Sequence, residues 1–586
     1  MSDALADAPA GSRPRGGIGR AFATVGLWTL LSRLLGFTRD IAIAATLGAS
    51  PVAEAFLVAF SLPNMFRRFF AEGAFNMAFV PLFAKKLERE RLARGDEPGT
   101  APEATREAAR EASRVVPLEG RMDAASVALP GAAPPRAEPG GAGTGPRDAP
   151  VEPGQALAFA RDAFTGLATV LVAFTVIATL AMPALVLLMA SGFAEDERFD
   201  LAVLYGRIAF PYILLISLAA LLSGVLNALG RFVAAAAAPV LLNVLFLAAI
   251  GAAVARGWPV GLALAWTVPV AGAAQLALVW WAAARAGFRL LPRRPRLTPE
   301  LRRLAIIAAP AMLAGGVVQV NLLVGRQVAS HFEGAIAWLS YADRLYQLPL
   351  GVVGIAVGVV LLPELSRRLQ AGDARGGRHA LSRAGEIGLA LTVPAAVALA
   401  AIPLPIVAVL FERGAFGAQD ARATALAVAV YGLGLPAFVM QKVLQPLYFA
   451  RHDTRRPFRY ALVALAVNAG VAVGLSPVLG YIAAAWGTTL AGWAMLWLLW
   501  RGTRGMGETA RLDARFASRA WRILLASAVM GGALWLLARA LAPLLDGPAG
   551  VPALLALVAA GMLVYGAAGR LLGAFRLSEI RGALRR

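Results

Sequence analysis

Ser32 to Asp40 reads SRLLGFTRD and sets Arg33, Arg39 and Asp40 inside an otherwise apolar run from Ala21 to Leu47. A second run carries Glu54, Asn64, Arg67, Arg68 and Glu72, and a third, SYADRLYQLP, carries Asp343, Arg344 and Gln347. Asn64 stands three and four residues before Arg67 and Arg68, and Asp343 stands four before Gln347, so on a helix each set shares a face. A charge at the centre of a membrane-spanning helix costs about 2.5–3.5 kcal/mol, so four unpaired arginines in lipid would cost on the order of 10 kcal/mol or more. These groups must therefore face water or partners. Guanidinium outnumbers carboxylate among them, and a cavity with surplus arginine suits a phosphate or diphosphate, which arginine grips with two parallel hydrogen bonds. The alternative is that Arg39/Asp40, Arg68/Glu72 and Asp343/Arg344 only neutralise one another as ion pairs.

Other chemistries have little to build on. The chain holds 0 Cys, which removes thiolate metal sites, cysteine nucleophiles and disulfides. Its histidines, His331, His379 and His452, fall in short polar connections, so a His-based triad or metal site is not expected. Lys85, Lys86 and Lys442 are the only lysines and none follows a glycine, so no Walker A phosphate loop can be written. Neither cofactor nor metal is expected, and the chain is not its own ATPase.

The elements that must position these charges follow from the composition. Of 586 residues, 59% are hydrophobic and only 16% charged, with a mean hydropathy of +0.66, well beyond the ordinary soluble mix. The expected class is an all-α integral membrane protein. A bilayer core of about 30 Å needs about 20 apolar residues. Fourteen stretches meet that need: 21–47, 52–84, 158–190, 200–229, 233–255, 258–284, 304–330, 335–363, 385–410, 421–449, 459–476, 478–500, 520–542 and 550–573. Arginines crowd alternate connections, as in Arg285 to Arg303, Arg367 to Arg383 and Arg501 to Arg515, while Glu195, Asp196, Glu333, Glu412 and Asp546 occupy the others. That alternation accounts for a net charge of +21 without nucleic acid and places both termini in the cytoplasm. Pro63 and Pro349 should bend their helices beside the charge clusters.

Residues 1–17 read as a disordered cytoplasmic tail and 88–157, rich in Ala, Pro, Gly, Arg and Glu, as a disordered cytoplasmic insertion with room for a short helix at REAAREASR. LPNMFRRFF…VPLFAKKL and RLYQLPLGVV…LPELSRRL form a weak internal repeat. It suggests two lobes of six spans around a central cationic cavity, plus two C-terminal helices. The divisions are then 18–87 and 158–284 for the N-lobe, 285–516 for the C-lobe and 517–586 for the last two spans and tail. Gln319, Asn321 and Arg326 extend the cavity or bond between helices. Gly351, Gly354 and Gly358 read as packing or hinge positions.

GLWTLLSRLLGFTRDIAIAATLG, EAFLVAFSLPNMFRRFFAEGAFNMAFVPLFA, FPYILLISLAALLSGVLNALGRF, SYADRLYQLPLGVVGIAVG and LYFARHDTRRPF together resemble the MurJ (MviN) lipid II flippases within the MOP exporter superfamily. The resemblance runs from about Gly26 through the last spans. It implies a V-shaped pair of lobes and export of lipid-linked disaccharide-pentapeptide across the bacterial inner membrane for peptidoglycan synthesis. It also implies a monomer bound to lipid II and membrane lipids, with cell-wall synthesis proteins as candidate partners. By motif it assigns substrate binding to Arg33, Arg39, Arg67 and Arg344, joined by Asn64 and Ser32. Asp40, Glu54, Arg68, Glu72, Asp343 and Gln347 are the expected charge partners. Glu54 stands where the family has aspartate, and Gln347 where some members have glutamate. Spans 520–573 would hold the polyprenyl tail.

Alternating access needs no covalent step. The rivals are an exporter of another polyprenyl-diphosphate-linked saccharide, a cationic-drug exporter, an enzyme consuming the same lipid, and a non-transporting scaffold. Surplus arginine argues against drug export, and short extracytoplasmic loops argue against an enzyme.

Overall fold

A computed structural model describes residues 16–67, 70, 74–94, 154–451 and 453–574. Arg68, Glu72, His452, the REAAREASR segment and the tail up to residue 15 lie outside the described residues. Every regular element in the described chain is helical. The first half comprises α1 (Gly16–Leu47), α2 (Pro51–Arg67), α3 (Ala74–Ala93), α4 (Gln155–Leu180), α5 (Met182–Met189), α6 (Glu197–Ala209), α7 (Tyr212–Ala228), α8 (Val233–Arg256) and α9 (Val260–Arg285). The second comprises α10 (Pro299–Ser330), α11 (Ala335–Gln370), α12 (Ala374–Ala401), α13 (Pro403–Phe411), α14 (Ala418–Phe449), α15 (Arg455–Leu479) and α16 (Ile482–Gly502). After these come α17 (Ala514–Ala540), α18 (Ala542–Leu545) and α19 (Gly550–Leu571). Among the described residues, 10 helical stretches are long and apolar enough to cross a membrane, which makes this a multi-pass membrane protein.

Several stretches that read as single spans are interrupted. The run 158–190 is α4 then α5, 200–229 is α6 then α7, and 385–410 is α12 then α13. A proline stands at each break. Pro183 and Pro403 lie in the first turn of α5 and α13, and Pro211 caps α7. There the missing N–H costs nothing, whereas within a continuous helix it would leave a carbonyl unpaired. Helix α11, by contrast, runs unbroken past Pro349.

Helix also replaces the edges of the expected tail and insertion. α1 already starts at Gly16, α3 continues to Ala93, and α4 starts at Gln155. The buried Glu90 carboxylate accepts from the Ala156 N–H at 2.6 Å, tying the two flanks of the insertion together. It supplies a cap that Gly154, with no side chain, cannot.

Helices of each half pack mainly on their own neighbours: α1 on α8, α2 on α6 and α8 on α9 in the first, α11 and α12 on α14 and α15 on α16 in the second. α17 packs on α12, and α19 on α17 and α13. Tyr565 of α19 donates its hydroxyl to the Ala390 carbonyl of α12 at 2.7 Å. One apolar core nevertheless runs through both halves, with Phe56, Phe79, Phe210 and Phe246 from the first and Phe411 and Phe416 from the second almost fully buried.

Candidate functional site

The two halves touch at both ends: α3 packs on the start of α10, where Lys86 Nζ pairs with Glu300 at 2.5 Å, and a second contact forms where α1 ends. The Ala415 N–H donates to the Ala45 carbonyl at 2.8 Å, and the Tyr341 hydroxyl to the Gly48 carbonyl at 3.2 Å. Gly48 and Gly414 have φ of 60° and 59°, and a Cβ on either would collide with the carbonyl of Ala415 or Ala45. Gln327 of α10 donates to the Leu187 and Leu188 carbonyls and accepts from the Ser191 N–H and hydroxyl of the first half. This is the closed end of the molecule.

Glu54 belongs to that end. It is fully buried, accepts from Arg198 Nη1 at 2.8 Å and from the Ile336 N–H at 2.9 Å. The second bond caps α11, whose N-cap Gly334 has no side chain to do so. Arg198 also bonds Asp196 through Nε at 2.7 Å and stacks over Phe193 at 4.4 Å. Asn64 is ten residues further along α2, roughly 15 Å away from Glu54. The structure therefore places Glu54 in an inter-half latch apart from the other candidate residues.

Further from the closed end, Asp40 joins the halves. Its Oδ1 accepts from Arg39 Nη2 at 2.7 Å and Nε at 3.1 Å, and its Oδ2 pairs with Arg344 Nε of α11 at 3.0 Å. Arg39 is held on all sides. Its Nη1 donates to Asn243 Oδ1 at 3.0 Å, and its guanidinium faces the rings of Phe246 and Phe60 at 5.4 and 6.0 Å. Asn243 Nδ2 in turn donates to the Ser32 carbonyl at 3.0 Å. Arg39 and Asp40 are buried, at 7% and 8% exposure, while the Arg344 side chain is 46% exposed. Of the two arginines on Asp40, the one that crosses from the second half is thus the more open to a ligand.

Arg33 is exposed and lies one to two turns beyond this pair along α1. Its guanidinium rests against Gly351 of α11, where any Cβ would displace it. Together with Ser32 it lines a groove of about 490 Å³ whose far wall includes Asn227, Phe232 and Pro239. Gln347, also exposed, donates to Asp343 one turn away. Arg67 is half-buried at the end of α2, and Asn64 Nδ2 donates to the Phe60 carbonyl of its own helix at 2.7 Å. The described cluster thus unites Ser32, Arg33, Arg39, Asp40 and Arg344 with Asn243, which the sequence reading passed over. An asparagine alone in the apolar run APVLLNVLFLAA was its available signal. Asn321, for its part, accepts from Asn468 Nδ2 at 2.7 Å, a bond between α10 and α15.

The family described as lipid II flippase MurJ matches residues 43–95 and 151–545. The probable lipid II flippase MurJ of Rhizobium meliloti is 41% identical over 576 residues, covering 97% of this chain and 96% of its own. The lipid II flippase MurJ of Burkholderia cenocepacia is 33% identical over 456 residues, covering 77% and 76%. In fold, the chain is similar to a solved lipid II flippase MurJ in an inward closed conformation, with a TM-score of 0.69 at 21% identity over 93% of this chain and 98% of that one. It also resembles an inward-facing multidrug resistance MATE family transporter of the MOP superfamily, with a TM-score of 0.57 at 13% identity over 84% and 98%. With the family matched across most of its length and a relative 41% identical end to end, the chain belongs to the lipid II flippase MurJ family.

Proposed function

We propose that the chain flips lipid II from the inner to the outer leaflet of the cytoplasmic membrane by alternating access, without catalysing a covalent reaction. The observation that carries this reading is the meeting of Arg39, Asp40 and Arg344 across the two halves, with Arg33 beside them. Two arginines share one carboxylate, so the cluster holds a net positive charge that a diphosphate would complete. Arg344 and Arg33 make the first contacts, Arg67 joins from α2, and Arg39 stays bound to Asp40 and Asn243 as their support. Family membership favours lipid II over another polyprenyl-linked saccharide as cargo.

In this reading the chain makes fourteen passes in two lobes of six plus two, with both termini cytoplasmic, so the closed end is periplasmic. One chain supplies both walls of the cavity, so no second copy is needed. α17 and α19 would carry the polyprenyl tail alongside α12 and α13. A potential negative inside favours outward passage of the diphosphate by about 2.3 kcal/mol per charge per 100 mV if the full field is crossed.

The test is replacement of the native flippase by this chain in depleted cells, with Arg33→Ala, Arg67→Ala and Arg344→Ala versions expressed alongside. Growth and periplasmic exposure of lipid II should be restored by the parent and lost in the variants. Normal exposure with all three variants would sink the cavity model.

A further inference from the structure

Arg326 stands outside the cluster. Arg326 lies in α10, four residues before its end at Ser330, and is half-buried. Its Nη1 contacts Met189 Sδ of the first half at 3.6 Å, and a thioether sulfur is only a weak acceptor. Asp343 attracts it and Arg344 repels it, yet among the described residues no carboxylate lies within ion-pair distance of it. A half-buried arginine near the closed end with so weak an acceptor keeps donors available for an oxyanion.

Its depth says which one. Counted along their helices at 1.5 Å per residue, Arg33 lies roughly 21 Å from the closed end, Arg39 about 12 Å, Arg344 about 14 Å and Arg326 about 6 Å. The cations form a ladder running from the groove to the seal, and Arg326 is its last rung. We propose that Arg326 is an exit-side contact for an oxyanion of the cargo, taking over from Arg344 as the closed end opens. The oxyanion is either a phosphate of the polyprenyl diphosphate or a carboxylate of the stem peptide. The inference rests on the flippase reading and adds a residue and a direction to it.

The test uses the full chain in proteoliposomes, comparing parent, Arg326→Gln, Arg326→Met and Arg326→Lys for lipid II binding and for its arrival on the opposite face. Arg326→Gln and Arg326→Met should slow arrival about tenfold, the scale of one charge-assisted hydrogen bond, while binding changes less than about twofold. Arg326→Lys should recover most of the rate. The same assay with undecaprenyl diphosphate separates the sources: equal slowing assigns the phosphate, and slowing confined to lipid II assigns the peptide carboxylate. Parent-like arrival in both neutral variants, or a lysine variant no faster than glutamine, overturns the proposal. A parent that moves neither lipid instead overturns the flippase reading itself.

Discussion

Asp40 has two claimants, Arg39 beside it on α1 and Arg344 across the interface. Because the second pair joins separately packed halves, its energy bears on how they sit together. Asp40→Asn and Arg344→Gln should show a coupling of about 1–3 kcal/mol in a double-mutant cycle on unfolding in detergent. Arg33 and Asp40 should show almost none. Glu54 offers a larger effect, since its removal leaves the buried Arg198 with Asp196 alone and takes the cap from the Ile336 N–H. Glu54→Ala should cost about 3–5 kcal/mol, and adding Arg198→Met should return much of it. Acid acts on the same latch through Asp196, which lies outside the spans. Burial would raise its carboxyl, but hydrogen bonds from the Arg198 side chain and N–H, with the Arg198 charge, hold it below the ordinary aspartate value. A carboxylate lowered in this way stabilises the fold above about pH 4 and loses that contribution as pH falls through its own value. The Asp196 share of that stability should therefore be constant from about pH 5 to 8 and be lost in stronger acid, a fall in the thermal midpoint in detergent that Asp196→Asn removes. The charges themselves were legible in the sequence because an arginine in an apolar run is conspicuous. The adjacent pair of Arg39 and Asp40 was legible too, but the distant partners were not: Asn243 is 204 positions from Arg39 and Arg198 is 144 from Glu54, separations that only packing closes.

At the scale of elements, the sequence reading located the apolar runs but joined pieces that proline separates. Pro183 and Pro403 were in plain view, yet hydropathy averages across them because the short helices they start are themselves apolar. The two breaks also match: a long helix followed by a proline-started one of 8 or 9 residues occurs once in each half. That correspondence extends the weak repeat seen around LPNMFRRFF. A second pairing was invisible from local pattern. α4 and α11 both start behind a left-handed glycine, Gly154 and Gly334, and each receives its cap from a distant glutamate, Glu90 or Glu54. Glycine at the seal has a different task, since Gly414 leaves space for the Ala45 carbonyl. Gly414→Ala should force this end apart, so that a cysteine placed at Ala45 reacts several-fold faster with an impermeant maleimide.

The whole molecule holds its two halves together at both ends, by Lys86 and Glu300 at one and the Ala45–Ala415 contact at the other, with a cluster between them that still has an exposed guanidinium. Because the chain holds 0 Cys, single cysteines report orientation without background. A cysteine at Glu195 should be labelled from the periplasm and one at Arg375 only after the membrane is permeabilised; the reverse pattern would invert the topology. The shared carboxylate has one more consequence, for small ions rather than for cargo. A cavity lined with arginine would, if left bare, attract chloride and inorganic phosphate and offer them a path whenever the gates change over. Asp40 keeps a tethered negative charge on Arg344, an occupant that cannot be carried away. An Asp40→Asn protein in planar bilayers should accordingly pass an anion current that the parent lacks.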